Sequence, residues 1–435
     1  MSGFSLKRNA FLLIGAIAVL AIIGDWSGEP SLATLWRFAA VLLLGGLAYE
    51  SWVTARSGLT LEVLPPEQFF LGRGVAVRFD LTHDSRRRWH MEVSPAAPDF
   101  FEIDAAIERP ALPSSGPAGF ERRITATRLG EHSWPALQTR IAGPFGLAWW
   151  PRSLRAECLV KVRPDLFRSA AEVKGVADEG AKIGLNVGGG TEIMRLRDYR
   201  WGDPPRVVDW KATARSNRLI SRDFAVHEGL QLIIAIDAGR SSGLRAGNLD
   251  RFGHYVNVAA RLSQYAAERD DMVGIVLYAD RPLAALAPAR GTAAVTRIRH
   301  LLAASRVENR ESNPLVAAMR VRSLVRHRSL VVVMTDVDDA SAGSQLAQAA
   351  RYLLPKHLPF IAGLSSEAAQ TMALASASEW LDPYRSLAAQ EYCVGLERKV
   401  QALNAMGAPA LVARPQHLER AVFAAYTDFR RQRRA

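Results

Sequence analysis

Asp237 and Asp336 each end an uncharged apolar run, LQLIIAID and SLVVVMTD, that reads as a strand buried on both faces. If both runs are parallel strands of one sheet, the two carboxylates converge at its carboxyl edge. A hard cation such as Mg²⁺ suits such a pair, with hydroxyls and waters completing the shell. A serine there offers different chemistry. Gly239-Arg240-Ser241-Ser242-Gly243 fits G-x-S-x-G after a strand, and Asp336 and His357 follow in the order of a hydrolase triad. A nucleophile elbow needs a helix to begin at once, whereas Gly243, Gly247 and Asn248 delay it to about Asp250. A hydrolase using Ser241 or the aspartate cluster therefore stands as the alternative reading. His227-Glu228 opens an H-E-x-x-H pattern, but Gln231 occupies the place of the second histidine, which excludes a zinc protease on that motif. Gly188-Gly189-Gly190 lacks the Lys and Ser/Thr of a phosphate loop and reads as a flexible joint.

The densest chemistry lies just before the first strand. RLRDYRWGDPPRVVDWK sets Asp198, Asp203 and Asp209 among Arg195, Arg197, Arg200, Arg206 and Lys211. Acids and bases so interleaved mostly neutralise one another through ion pairs and hydrogen bonds. Gly202-Asp203-Pro204-Pro205 forces a turn. Tyr199 and Trp210 are expected to pack on a domain core with their polar tips satisfied. A structural, partner-docking role is favoured over acid/base catalysis or nucleic-acid contact.

Around these residues the 435-residue chain changes pattern several times. Residues 57–165 show short alternating runs (LTLEVLP, VAVRFDL, WHMEVSP, RITATRL, CLVKVRP) with Gly and Pro between them, a β-sandwich-like domain. Residues 166–229 read as a linker that holds the charged stretch. From 230 to 435, strand-like runs alternate with helical ones, including 250–269, 292–305, 314–325 and 345–354, which predicts an α/β doubly wound parallel sheet. The last helix carries Leu418, Val422, Ala425 and Phe429 on one face and runs into the basic tail Arg430, Arg431, Arg433 and Arg434.

The amino terminus is apolar. Two stretches, about 10–26 and 32–52, are long enough for transmembrane helices if flanking Trp residues sit at headgroup level. Lys7 and Arg8 precede the first, Arg56 follows the second, and the link between them holds only acids, Asp25 and Glu29. This asymmetry predicts a hairpin in the plasma (inner) membrane with both termini cytoplasmic. A net charge of +12 suits an anionic membrane surface, and Arg86-Arg87-Arg88 reads as a loop facing it; nucleic acid is an unlikely partner. Two cysteines, Cys158 and Cys393, are too few for a disulfide framework.

Arg197-Asp198-Tyr199, Gly202-Asp203, Arg206, Val208-Asp209-Trp210-Lys211 and Thr213-Ala214-Arg215 together resemble the signature of the DUF58 family, and Pro144 to Leu147 repeats its PFGL motif. The resemblance implies a von Willebrand factor A-like domain behind a membrane hairpin and a β-region. It implies no catalysis, but a scaffold or adaptor for a MoxR-type AAA+ ATPase. It also implies a degenerate metal site. Of the D-x-S-x-S pattern of metal-binding A-type domains, Asp237 and Ser241 are present and Gly239 replaces the first serine. Asp336 fits the late aspartate, and Ser312 or Asn313 falls at the threonine position. No cofactor is certain on this basis. Mg²⁺ is the one considered, and the bland reading has Asp237 capping nearby amides or pairing with Arg240.

Overall fold

The computed structural model describes the chain apart from residues 1–3, 28–29, 86, 105, 115–116, 157, 167–185, 204, 227–229, 339, 377 and 433–435. The readings placed on Arg86, His227-Glu228, Arg433 and Arg434 lie outside the described residues. The chain divides into two compact units, Met1–Arg163 and Pro164–Ala435.

Near the start of the first unit stand two long helices, α1 (Arg8–Ser27) and α2 (Pro30–Ala55). Both are long and apolar enough to cross a bilayer, with mean hydropathies of 2.1 and 1.4 over an 18-residue stretch of each, and both helices extend past the limits read from the sequence. Their apolar side chains are left uncovered, Phe11, Leu12, Ile22, Phe38, Val41 and Leu42 among them. The strand Ser5–Leu6 before the helices and the strands that follow them form, among the described residues, sheets of five, four and three strands. Alternating burial marks them as half-covered: in Trp89–Ser94 the residues Trp89, Met91 and Val93 point inward. Phe69, Phe79, Leu81, Ile124, Leu137 and Ile141 complete this core.

Glu50, near the end of α2, is fully buried. Its carboxylate accepts from the backbone N–H groups of Phe145 (2.8 Å), Leu147 (3.2 Å) and Ala148 (3.2 Å), with the indole of Trp150 at 3.4 Å. The PFGL motif is thus the loop that wraps this carboxylate. Gly143 approaches so closely that a Cβ there would lie 2.0 Å from the Glu50 carboxyl carbon.

In the second unit, β1 (Asn186–Asp198) and β2 (Ile220–Val226) pair antiparallel, with α3 (Trp210–Ser216) between them. The charged stretch is therefore a folded hairpin and not a linker. Gly188 to Gly190 fall in a register break of that hairpin, between Val187 and Glu192, where residues without side chains fit an irregular ladder. The main sheet holds β3 (Gln231–Asp237), β4 (Met272–Tyr278), β5 (Pro282–Ala289), β6 (Leu330–Met334), β7 (Leu358–Leu364) and β8 (Ala410–Ala413). Their order is β5-β4-β3-β6-β7-β8, all parallel except β5. The edge strand β5 was not read from the sequence. Pro282 and Pro288 break its pattern, and prolines are tolerated at an edge because no ladder donor is missed there.

Among the described residues seven helices accompany the sheet: α4 (Arg251–Ala267), α5 (Gly291–Ala304), α6 (Pro314–Leu324), α7 (Ala340–Leu353), α8 (Glu367–Leu374), α9 (Asp382–Ala405) and α10 (Pro415–Gln432). Ile233, Ala235, Val276, Tyr278, Val331, Val333 and Ile361 cluster with apolar residues of α6, α7 and α9. The intervening Leu232, Ile234 and Ile236 are equally buried, and α4 and α10 pack on the sheet and on each other. Arg430 of α10 is held by the buried Asp271, which also binds Tyr426, so this arginine of the basic tail is spent internally.

Replacing Glu50 by Ala leaves the buried N–H groups of Leu147 and Ala148 and the half-buried N–H of Phe145 without their acceptor, and is expected to destabilise the first unit by roughly 3 kcal/mol or more, with Glu50→Gln costing less. Chemical unfolding in detergent, followed by tryptophan fluorescence, measures this; equal stability of Glu50→Ala and the parent chain would refute it.

Candidate functional site

The loops at the carboxyl edge of β3, β4 and β6 meet around Asp237, the last residue of β3, which is wholly inaccessible. Its Oδ1 accepts from the Gly239 N–H at 2.8 Å, and its Oδ2 accepts from the hydroxyls of Ser312 and Thr335, each at 2.7 Å. Burial raises the carboxyl pKa and the nearby Asp336 pushes the same way, while the Ser312, Thr335 and Gly239 donors oppose both. Backbone bonds from Arg240 to Arg310 and from Glu308 to Ala238, each 2.7 Å, clamp the loop before α6 against the loop after β3. Of the two residues offered for the threonine position, Ser312 meets Asp237, whereas Asn313 caps α6 and accepts from the Val316 N–H at 3.4 Å. Of the two alternatives for Asp237 without a metal, the structure shows the capping of a local amide, while Arg240 is exposed and pairs with Glu311 at 3.9 Å.

Asp336 is occupied as well. Its Oδ2 is paired with the guanidinium of Arg251 on the first turn of α4, and its Oδ1 accepts from the Asp338 N–H at 3.2 Å. Arg251 and Asp336 are each 7% exposed. Tyr392 of α9 lies beside Arg251.

The donor set expected for Mg²⁺ is Asp237, Ser241 and Asp336, and these residues do not fit the ion. Both oxygens of Asp237 already accept bonds from the protein, and Asp336 carries a protein cation. Gly239 has no side-chain ligand atom, and its surroundings are tight: a Cβ would lie 3.0 Å from Asp237 Oδ1, 3.1 Å from the Arg310 carbonyl oxygen and 3.2 Å from Ser312 Cβ. The hydroxyls of Ser241 and Ser242 are buried with no hydrogen-bond partner among the described residues, and two hydroxyls without an uncommitted carboxylate do not hold a hard divalent ion. Among the described residues no cluster of three or more His, Cys, Asp or Glu could bind a metal.

The hydrolase arrangement is not assembled. Ser241 sits in the short 3₁₀ turn Arg240–Gly243 at the carboxyl edge. His357 immediately precedes β7, which begins at Leu358, and so lies at the opposite end of the parallel sheet. Among the described residues neither ring nitrogen of His357 has a hydrogen-bond partner.

In the signature hairpin, Asp203 is the organiser. It takes a two-point ion pair from Arg197 (2.8 and 2.9 Å), the Arg200 N–H (3.0 Å) and the Ser221 hydroxyl (3.1 Å), and the arginine above all holds its carboxyl far below the usual range. Asp209 caps α3 through the Ala212 N–H and pairs with Arg222 at 3.0 Å. Tyr199 donates to the Asp203 carbonyl at 3.1 Å, as its expected polar tip requires. Asp198 reaches Arg218 at 3.4 Å in an exposed pair. The acids thus neutralise bases as anticipated. Trp210 differs: it is 65% exposed, and Trp201 is fully so. With α3 only seven residues long, Trp210 at its start projects outward instead of packing on a core. Lys211 and Arg215 on α3, and Arg200, are exposed around it.

Arg251 was missed by sequence reasoning. Its signal was available: it stands four residues before Tyr255 and eight before Ala259, on the buried face of α4, and it is a cation in a helix first turn, where the dipole disfavours one. A second omission is the run of exposed apolar residues on α8, α9 and their connection, Met372, Leu374, Trp380, Tyr384 and Leu387. In the sequence these look like core positions.

Residues 195–361, less than half of the chain, match the family described as "Protein of unknown function DUF58", which bears out the resemblance carried by the signature. No curated protein matches the sequence significantly. Among solved structures, a conserved hypothetical protein, BatB from Bacteroides thetaiotaomicron, is 16% identical over 31% of this chain and 67% of its own, with a TM-score of 0.27. The SpRpn10 VWA domain is 13% identical over 42% of this chain and 87% of its own, also with a TM-score of 0.27.

Two outcomes are expected. Ser312→Ala removes one of two hydroxyl donors from a buried carboxylate and should cost about 1–3 kcal/mol in chemical unfolding; no measurable loss would show that Ser312 does not support Asp237. Burial, with Lys356 and Arg322 adding to it, lowers the pKa of His357, which is 1% exposed. The unfolded chain therefore takes up this proton first, and stability falls as pH drops below about 6.5. His357→Gln should flatten that decline in melting profiles, and an unaltered pH profile would refute the assignment.

Proposed function

We propose that this DUF58-containing chain is a membrane-anchored scaffold without catalysis of its own, which binds a MoxR-type AAA+ ATPase through the carboxyl edge of its second unit. The observation that carries this reading is the apolar surface beside that edge. α9 spans 24 residues, about 36 Å. It passes the edge at Tyr392, beside Arg251, and at Lys399, which binds Asp338 at 2.7 Å. Its carboxyl end turns back toward β8, so its first turns reach beyond the sheet. There Trp380, Tyr384 and Leu387, with Leu374 of α8, expose large apolar side chains next to Glu379, Asp382 and Arg385. Aromatic anchors rimmed by charge are what protein interfaces use, and such a patch is unusual on a surface that stays in water.

The same reading takes the sheet of the second unit as doubly wound and A-like, which both buried parities of β3 support, and the first unit's sheets as a sandwich. It places α1 and α2 as a hairpin in the plasma membrane with both termini cytoplasmic. The support is Lys7, Arg8 and Arg56 at the outer ends of the hairpin, with only acids in its turn.

Capture of the purified ATPase from the same cells by the detergent-solubilised protein tests the proposal. Trp380→Ser with Tyr384→Ser should weaken capture at least about tenfold while leaving the melting midpoint unchanged. Asp237→Ala is unsuited to this purpose, since removing a buried acceptor perturbs the fold itself. Capture indifferent to the paired substitutions would remove this surface as the docking site, and no capture by the parent chain would remove the ATPase.

A further inference from the structure

Two carboxylates brought to one edge of a sheet repel each other and need positive charge or donors. The two here meet that need differently. Asp237 is served by two hydroxyls and one amide, all neutral. Asp336 is served by Arg251. A cation in the first turn of a helix works against the helix dipole, so Arg251 stays there because Asp336 compensates it. Gly239 lies close to Asp237 and Ser312, so a side-chain ligand at this position would crowd both.

We propose that the Arg251 guanidinium is the resident cation of this edge: it does for Asp336 what a divalent ion does in metal-binding A-type domains, so the edge keeps its structure, and any binding it performs, without a divalent ion. A tethered guanidinium differs from Mg²⁺ in one respect that matters for recognition. Mg²⁺ retains exchangeable positions that a partner's carboxylate can occupy, whereas Arg251 is 7% exposed and turned inward to Asp336. A partner therefore cannot complete a coordination shell here. Recognition passes to rim side chains such as Arg240 and Glu311, which are 70% and 66% exposed. The inference concerns how the edge is held together and stands whether or not an ATPase binds there.

The test uses the full chain in detergent and needs no partner. Mn²⁺ titrated into the parent protein should remain free by electron paramagnetic resonance, and the melting midpoint should be the same in excess EDTA as in millimolar MgCl₂. One bound equivalent of Mn²⁺ that Asp336→Asn abolishes would overturn the proposal. A second arm asks whether Arg251 has this role. Arg251→Gln and Asp336→Asn should each lower the melting midpoint by roughly 6–20 °C, because each leaves a buried partner unmatched. The double variant, which removes both charges, should recover most of that loss. Losses that simply add in the double variant would show that the two residues do not depend on each other, and would equally overturn it. If a single variant does not fold, the Mn²⁺ titration of the parent chain decides alone.

Discussion

A carboxylate with no path to water must be satisfied by the chain that buries it, and Asp237 sets that demand at the carboxyl edge of the second unit. Meeting it draws three separate pieces of chain together: the loop after β3 through Gly239, the loop before α6 through Ser312, and the end of β6 through Thr335. Once Thr335 is committed, the next residue, Asp336, is committed too, and Arg251 brings the first turn of α4 against it. Tyr255, one turn further along α4, donates to the Thr335 carbonyl at 3.1 Å and ties the helix to the same point. Loops that elsewhere would be free to bind are here fastened by their own polar groups. What remains for a partner is the periphery.

The same device recurs at two other places. Glu50 gathers the N–H groups of the loop from Phe145 to Ala148, and Asp203 gathers Arg197, the Arg200 N–H and Ser221 at the tip of the signature hairpin. In each case one acid satisfies several donors of a turn that no regular ladder could satisfy. The PFGL motif and the signature therefore have a common physical basis. Each is a turn shaped around a carboxylate, with Gly143 and Gly202 at positions where a side chain would collide or where φ, at 103° for Gly202, is positive.

The aromatic residues behave differently in the two roles available to them. Tyr255, Tyr265, Tyr278 and Tyr426 are fully buried and hold helices to the sheet. Trp201, Trp210, Trp380 and Tyr384 stand in solvent on short or projecting elements. The second group costs free energy in an isolated chain and is the material an interface is made from.

Periodicity in the sequence was enough to locate the central parallel strands and the longer helices of the second unit, but not the edge strand β5 or the signature hairpin. The runs LQLIIAID and SLVVVMTD carry no charge before their final aspartates and are mostly apolar, which reads as buried strands, and Asp237 and Asp336 were expected to emerge at one edge. The two N-terminal apolar helices were legible for the same reason, as was the mutual neutralisation of charges in the signature, whose alternation is local. Fates that depend on contacts distant in sequence were not legible. Asp237 and Ser312 are 75 residues apart and Arg251 and Asp336 are 85 apart, so no local pattern could show that hydroxyls and a guanidinium would take the places left for a metal ion. Nor could it show that Trp210 would be exposed, or that Ser241 and His357 would stand at opposite ends of the sheet. Residue types and spacing determined which groups reach the edge; only long-range packing decided which of them pair with each other and which are left for something else to bind.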